Sequence, residues 1–179
     1  MFFIFRIHFI LILIRYLFIT LSENFITYYL EIMYKKCEGI IMTSMIEILK
    51  NEHKNVKNLL NEAVENKDTS KYPQIQKELR IHLEGEETLL YPKTRDQATD
   101  LTLEAYEEHD LVKKELNDLD NLNIENEYWM PKMKVVKDLV EHHVKEEEDE
   151  YFPKTEELLG SDQLDHLGQK YADWKDDVM

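Results

Sequence analysis

Apolar residues recur every three or four positions through most of the chain after Met45, which is the spacing of one face of an α-helix. In the first series Leu49, Val56 and Leu60 share a face, and the series predicts a helix over about residues 45–66. The same spacing predicts three more long helices, over about residues 73–91, 100–120 and 131–152. Four long helices joined by short loops predict an all-α fold, an up-down-up-down four-helix bundle.

Proline marks the expected ends of two of these helices, because the residue before a proline is disfavoured in a helical conformation. We expect the second and fourth helices to end where an aromatic residue precedes proline, at Tyr91-Pro92 and Phe152-Pro153. Gly160 is then expected to close a turn, and Ser161 to cap a short C-terminal helix that reaches about Lys175.

Two pairs of segments in the helical region align with each other without gaps. NEHKNVKNLLNE at 51–62 aligns with EEHDLVKKELND at 107–118, and HLEGEETLLYP at 82–92 aligns with HVKEEEDEYFP at 143–153. Each half therefore has a helix with one histidine, followed by a helix that carries HxxxE and ends in aromatic-Pro. This is a two-fold internal repeat.

Residues 1–41 differ from the rest of the chain, because they are dominated by Phe, Ile, Leu and Tyr. The run from Ile7 to Leu21 is apolar enough to suggest a membrane span, but Arg15 lies in its middle and would cost roughly 2.5–3.5 kcal/mol there. We interpret residues 1–41 as an apolar leader that arises from an over-extended reading frame, with a membrane anchor as the alternative. Residues 42–179 are the predicted folded domain.

Charge and cysteine content narrow the class of function. The chain has 22 Lys+Arg and 37 Asp+Glu, and a net charge of −15 repels nucleic acid and anionic lipid. We expect no nucleic-acid partner, and a membrane partner only if residues 1–41 are a genuine anchor. The single cysteine, Cys37, excludes an internal disulfide and a thiolate zinc site. A cysteine-free domain fits a cytoplasmic location.

Each of the four long helices places one histidine in its apolar series, and two also place a glutamate there four residues later. Residue counts from the helix ends put all of these side chains at nearly one depth in the bundle. Two buried carboxylates close together repel each other, and bound cations remove that penalty. We therefore predict six metal ligands: His53, His82, Glu86, His109, His143 and Glu147.

The kinds of ligand indicate the metal. Four imidazoles and two carboxylates without a thiolate suit iron or manganese, with zinc as a third candidate. Two carboxylates between two histidine pairs predict a dinuclear centre with bridging glutamates and open positions. The expected small-molecule partner is a diatomic or peroxide-type ligand.

Two alternatives remain open at this point. His142 precedes His143 and has its own HxxxE partner, Glu146, although gapless alignment to Pro153 favours His143 with Glu147. The other alternative is a metal-free structural or interaction bundle whose histidines are ordinary core residues.

The ligand pattern resembles the hemerythrin-like HHE cation-binding family, whose motif is His, HxxxE, His, HxxxE across a four-helix bundle. The match covers about residues 45–175 and includes both aromatic-Pro pairs. The resemblance implies a non-heme di-iron centre that binds or senses oxygen, nitric oxide or peroxide-type oxidants, with no catalytic residue assigned.

The chain departs from oxygen-carrying hemerythrins at two positions. Those proteins have HxxxH on the third helix, where this chain has Lys113, and a last Asp ligand where it has Glu148. These differences make it more similar to the HHE proteins linked to stress sensing or repair of iron centres, and iron-centre repair is the alternative function. We expect a protein that binds metal and a small molecule more than we expect a classified enzyme.

Overall fold

The computed structural model describes residues 43–179, and within this range it contains helices and no strand. The α-helices are α1 (Met45–Glu65), α2 (Tyr72–Gly85), α3 (Tyr91–Thr94), α4 (Thr99–Asp120), α5 (Trp129–Glu146) and α6 (Phe152–Val178). A 3₁₀ turn at Thr69–Lys71 precedes α2, and π-helical turns at Glu86–Leu90 and Glu147–Tyr151 join α2 to α3 and α5 to α6. The predictions for residues 1–41 lie outside the described residues.

Helices α1, α2, α4 and α5 form the predicted bundle. Helix α1 packs against α2 and α5, and α4 packs against α5 and α2, so the four helices close into a ring. Short connections make consecutive helices antiparallel. The all-α, up-down-up-down four-helix bundle is therefore confirmed.

The buried apolar side chains form two separate clusters along the bundle. Leu60, Leu79, Val112 and Val140 belong to one cluster. The other contains, among further residues, Leu49, Leu90, Ala105 and Tyr151. Along the chain, each core histidine lies between a residue of one cluster and a residue of the other, so the four histidines share one level.

The second and fourth helices do not end at their aromatic-Pro pairs, and that prediction is wrong. The N–H of Tyr91 donates to the carbonyl of Glu86, and the N–H of Phe152 donates to that of Glu147. Each bond spans five residues instead of four, so the chain makes one wide π-helical turn and continues as a helix. Both prolines then lie in a first helical turn, where a missing N–H costs nothing.

The C-terminal helix is longer than predicted. Helix α6 continues directly from the π-helical turn after α5 and extends to Val178. It breaks at Gly160, whose backbone has φ 71° and ψ 168°, at the position where the sequence predicted a turn. None of the helices in residues 43–179 combines the length and apolar character of a membrane span.

The close approach of α6 to α2 generates a stability prediction. A Cβ added at Gly85 would overlap the ring of Tyr171, which is fully buried. We expect Gly85→Ala to destabilise the fold by about 1–3 kcal/mol, because a packed aromatic ring must move. Thermal denaturation measures this, with Glu84→Ala on the exposed side of α2 as the control. Equal melting temperatures for the two variants would contradict the packing seen here.

Candidate metal centre

The structure brings all six predicted side chains together in the centre of the bundle. Helices α1, α2, α4 and α5 each supply one histidine, and the two glutamates stand at the first residue of the two π-helical turns. Every one of the six is at most 5% exposed. A wide turn starting at each glutamate places its carboxylate toward the histidines, and π-turns are frequent at functional sites.

The six side chains form two groups of four that share both glutamates. His53 and His82 belong to one group, and His109 and His143 belong to the other. Within each group the candidate ligand atoms lie within 4.8 Å of one another. The Nε2 atoms of each histidine pair are 3.1 Å apart.

Each glutamate lies between the two histidine pairs. Glu86 Oε2 is 3.3 Å from His82 Nε2 and 3.4 Å from His109 Nε2. Glu147 Oε2 is 3.3 Å from His53 Nε2 and 3.4 Å from His143 Nε2. One oxygen of each carboxylate therefore faces both histidine pairs, so each glutamate belongs to both groups.

The carboxylates fit a bound cation better than they fit the polypeptide alone. Within residues 43–179, both oxygens of Glu86 and Oε2 of Glu147 are buried without a hydrogen-bond partner. A buried polar atom left unpaired costs about 1–3 kcal/mol. Unpartnered carboxylate oxygens facing imidazole nitrogens make up a donor set that suits metal binding.

Four further glutamates hold the outer nitrogens of the histidines. The Nδ1 atoms of the histidines lie 2.8–2.9 Å from these carboxylates, in the pairs His53–Glu148, His82–Glu52, His109–Glu87 and His143–Glu108. An Nδ1–H bonded to a carboxylate leaves the Nε2 lone pair pointing inward and makes it a stronger donor. We call Glu52, Glu87, Glu108 and Glu148 the outer carboxylates.

The outer carboxylates are not among the ligands predicted from the sequence, although the repeat carries a signal for them. In the gapless repeat Glu52 aligns with Glu108, and Glu87 aligns with Glu148, so both halves carry identical residues there. The structure also explains why Lys113 is compatible with the site. Its Nζ lies 2.7 Å from Glu87 Oε1, outside the centre.

His142 lies on the surface, so the structure places the alternative pair outside the centre. Its side chain is 61% exposed, whereas His143 is 2% exposed. The His143/Glu147 pair faces the other core histidines, and His142 and Glu146 face outward with Glu108.

Comparison with known proteins identifies the domain. Residues 44–155 match the family described as the Hemerythrin HHE cation binding domain. The chain belongs to this family. The family that the six residues indicated is thus confirmed. This HHE domain contains a buried His/Glu cluster suited to metal binding.

A solved structure and a curated relative are also similar. The crystal structure of a Hemerythrin HHE cation binding domain-containing protein from Mycobacterium kansasii has a TM-score of 0.67 and 26% identity, over 75% of this chain and 86% of that one. A protein named DNA nickase, from Nostoc sp., is 26% identical over 130 residues. That match covers 70% of this chain and 37% of the relative, so the chain spans little more than a third of its length.

The two halves of the repeat differ at a position next to the centre. Tyr91 aligns with Phe152. The Tyr91 hydroxyl donates to Glu147 Oε1 at 2.7 Å and lies 2.9 Å from His109 Nε2. Phe152 stacks on His53 instead, with ring centroids 5.6 Å apart. The two halves therefore differ at this position, because Tyr91 places a hydroxyl beside His109, whereas Phe152 places an apolar ring beside His53.

In the metal-free protein the pKa values of the two buried glutamates shift in opposite directions. Burial raises the pKa of Glu86 well above its ordinary value, and the neighbouring Glu147 carboxylate raises it further. Burial also opposes ionisation of Glu147, but His143 and His53 outweigh burial and lower its pKa well below the ordinary value. Glu86 therefore favours its neutral form, and Glu147 favours its ionised form.

The cost of burying the Glu86 carboxylate without hydrogen-bond partners leads to a prediction about stability. Glu86→Met keeps the volume and removes two unpartnered buried oxygens, so the metal-free domain should gain about 1–3 kcal/mol of unfolding free energy. The same change should prevent stabilisation by added metal, because one shared ligand is gone. Denaturant unfolding with and without metal tests both effects, and Glu84→Met on the exposed face of α2 is the control. A less stable metal-free Glu86→Met protein would contradict this view of Glu86.

Metal affinity should depend on pH through His143. Burial lowers the pKa of His143, but Glu147 and Glu108 outweigh burial and raise it to about 9. Burial lowers the pKa of His82 to about 4, with His53 adding to the effect, so His82 is already neutral. Metal must therefore displace a proton from His143 at neutral pH, and affinity should rise toward pH of about 9.

Titrations with Co²⁺ at several pH values, together with a pH indicator that counts released protons, measure this dependence. An affinity that stays constant from neutral pH to about 9, without proton release, would show that His143 carries no proton in the metal-free centre.

Proposed function

We propose that the chain is a non-heme di-iron protein that binds or senses oxygen, nitric oxide or peroxide-type oxidants. The observation that carries the proposal is the pair of four-residue groups that share Glu86 and Glu147. His53 and His82 would hold one iron, His109 and His143 would hold the other, and the two glutamates would be common to both. Two iron ions would supply redox chemistry and coordination positions open to a small ligand.

The donor set suits iron, and the resemblance to hemerythrin-like HHE proteins favours iron over manganese or zinc. Imidazole nitrogens suit iron, and carboxylates add the hard oxygen donors that its ferric state favours. The outer carboxylates support a centre that holds metal, since each orients one imidazole.

The surroundings of the centre support a small ligand. Apolar clusters lie on both sides along the bundle and exclude bulk water. A cavity of about 330 Å³ reaches His82 from the surface, and Glu52, Lys77 and Lys175 also line it. Tyr91 can donate a hydrogen bond beside His109. The six side chains of the centre are buried, so a diatomic molecule or a peroxide fits the centre better than a larger substrate does.

The activity in the name of the Nostoc relative is not carried over to this chain. The alignment covers 37% of that protein, and this chain has a net charge of −15, which repels a phosphate backbone.

Metal content of the full chain tests the proposal directly. Reconstitution with ferrous iron without oxygen should give two irons per chain, and exposure to oxygen, nitric oxide or peroxide should change the visible absorption. His82→Ala should lose iron and the absorption change. The exposed His166→Ala should keep both, as a matched histidine control.

Two results would overturn the proposal. No iron above background in the reconstituted wild-type chain would leave a metal-free bundle. Bound iron with no absorption change on adding any of the three ligands would remove the sensing role.

A further inference from the structure

The outer carboxylate Glu52 is held by two side chains of α6 as well as by its core histidine. Its Oε2 lies 2.9 Å from Nδ1 of His82 and accepts a hydrogen bond from the Tyr171 hydroxyl at 2.6 Å. Its Oε1 accepts a hydrogen bond from the ammonium of Lys175 at 2.5 Å. Helix α6 supplies none of the six predicted ligands, yet it reaches the groups directly behind them.

The repeat offers a matched comparison in the other half. Glu108 aligns with Glu52, and its Oε2 lies 2.8 Å from Nδ1 of the core histidine His143. Its Oε1 lies 3.3 Å from the exposed His142. In the part of the chain that the structure describes, the ion-pair partners of Glu108 are these two histidines, and no lysine or arginine joins them. The two equivalent carboxylates therefore differ in what α6 adds to one of them.

Close packing fixes the approach of α6 to this outer carboxylate. Tyr171 is fully buried, and a Cβ added at Gly85 of α2 would overlap its ring. Gly168 of α6 approaches the backbone just before α1, where an added Cβ would overlap the carbonyl of Thr43. Glycine at both contacts lets α6 lie against α1 and α2, so the Tyr171 hydroxyl and the Lys175 ammonium are held in place by the fold.

These two donors change the effect that Glu52 has on His82. A carboxylate that accepts the Nδ1–H of an imidazole makes Nε2, the atom that faces the centre, a stronger donor to metal. An ammonium and a phenol hydroxyl on the same carboxylate share its negative charge, because charge-assisted hydrogen bonds draw on that charge. Glu52 should therefore accept the Nδ1–H of His82 more weakly than Glu108 accepts that of His143.

We propose that Lys175 and Tyr171 are positioning residues of the metal centre, which hold Glu52 against His82 and weaken the donation from His82 to a bound metal ion. Both act through Glu52 and neither touches the metal. The effect on the Glu52–His82 hydrogen bond is a property of the polypeptide alone, whereas the effect on metal rests on the proposed function.

The Nδ1–H proton of His82 reports the strength of its hydrogen bond to Glu52. Its resonance can be followed by NMR in the metal-free full chain labelled with ¹⁵N-histidine, and it is assigned by its absence from His82→Gln. Tyr171→Phe and Lys175→Met should each move this resonance downfield, because Glu52 then has one competing donor fewer. Tyr171→Phe keeps the buried ring and the net charge, so its effect comes from the hydroxyl.

Matched controls separate this effect from a general change in charge or packing. Tyr128→Phe and Lys170→Met remove the same chemical groups at exposed positions and should leave the His82 resonance where it is. The Nδ1–H of His143 is the internal reference and should not move in any variant. An unchanged His82 resonance in Tyr171→Phe and Lys175→Met, a shift upfield or a loss of the resonance would overturn the proposal.

Metal affinity tests the second effect. Changes to groups behind a metal-bound histidine alter affinity by about 10–100-fold. We expect Tyr171→Phe and Lys175→Met to bind Co²⁺ about tenfold more tightly than the wild-type chain, whereas Lys175→Arg keeps the cation and should bind like wild type. Equal Co²⁺ affinities in Tyr171→Phe and in the control Tyr128→Phe would overturn the effect on metal.

The proposed function and this inference fail in different experiments. A reconstituted chain that takes up no iron would overturn the di-iron function, while the His82 resonance of the metal-free chain would still decide the role of Lys175 and Tyr171. A chain that binds two irons but shows no movement of the His82 resonance in the variants would keep the function and overturn the inference.

Discussion

The structure depends on two carboxylates, Glu86 and Glu147, that are buried at one level inside a helical bundle. Burying a charge costs several kcal/mol, and a second carboxylate nearby increases that cost. In the metal-free chain the cost is reduced because the raised pKa of Glu86 favours its neutral form and because His143 and His53 lower the pKa of Glu147. A bound cation would offset this cost more completely, so the buried carboxylates suit the centre to metal binding.

The rest of the fold positions these carboxylates. A π-helical turn starts at each of them, the aromatic-Pro pairs follow the turns, and two apolar clusters lie on either side. The outer carboxylates complete the arrangement, because Glu87 reaches from the first half to His109 and Glu148 reaches from the second half to His53. The two halves of the repeat thus hold each other's histidines, which explains why a single half would not make the site.

The two halves have also diverged around a common centre. Tyr91 places a hydroxyl beside His109, whereas its counterpart Phe152 stacks on His53. Helix α6 covers the first half and supplies Lys175 to Glu52, and the second half stays open at His142. The ligand set is therefore symmetric, whereas its surroundings differ between the two halves.

The sequence by itself determined the four helices, their order, and the six side chains of the centre. Helical periodicity and the gapless repeat are local patterns, and equal depth follows from counting residues along a rigid helix. It did not determine the continuation past Pro92 and Pro153, because a π-turn changes the hydrogen-bond ladder without changing the residues. Which glutamate meets which histidine, and which half α6 covers, depend on how helices rotate and pack against one another. Those relations join residues as far apart as Glu52 and Lys175, and only the tertiary structure decided them.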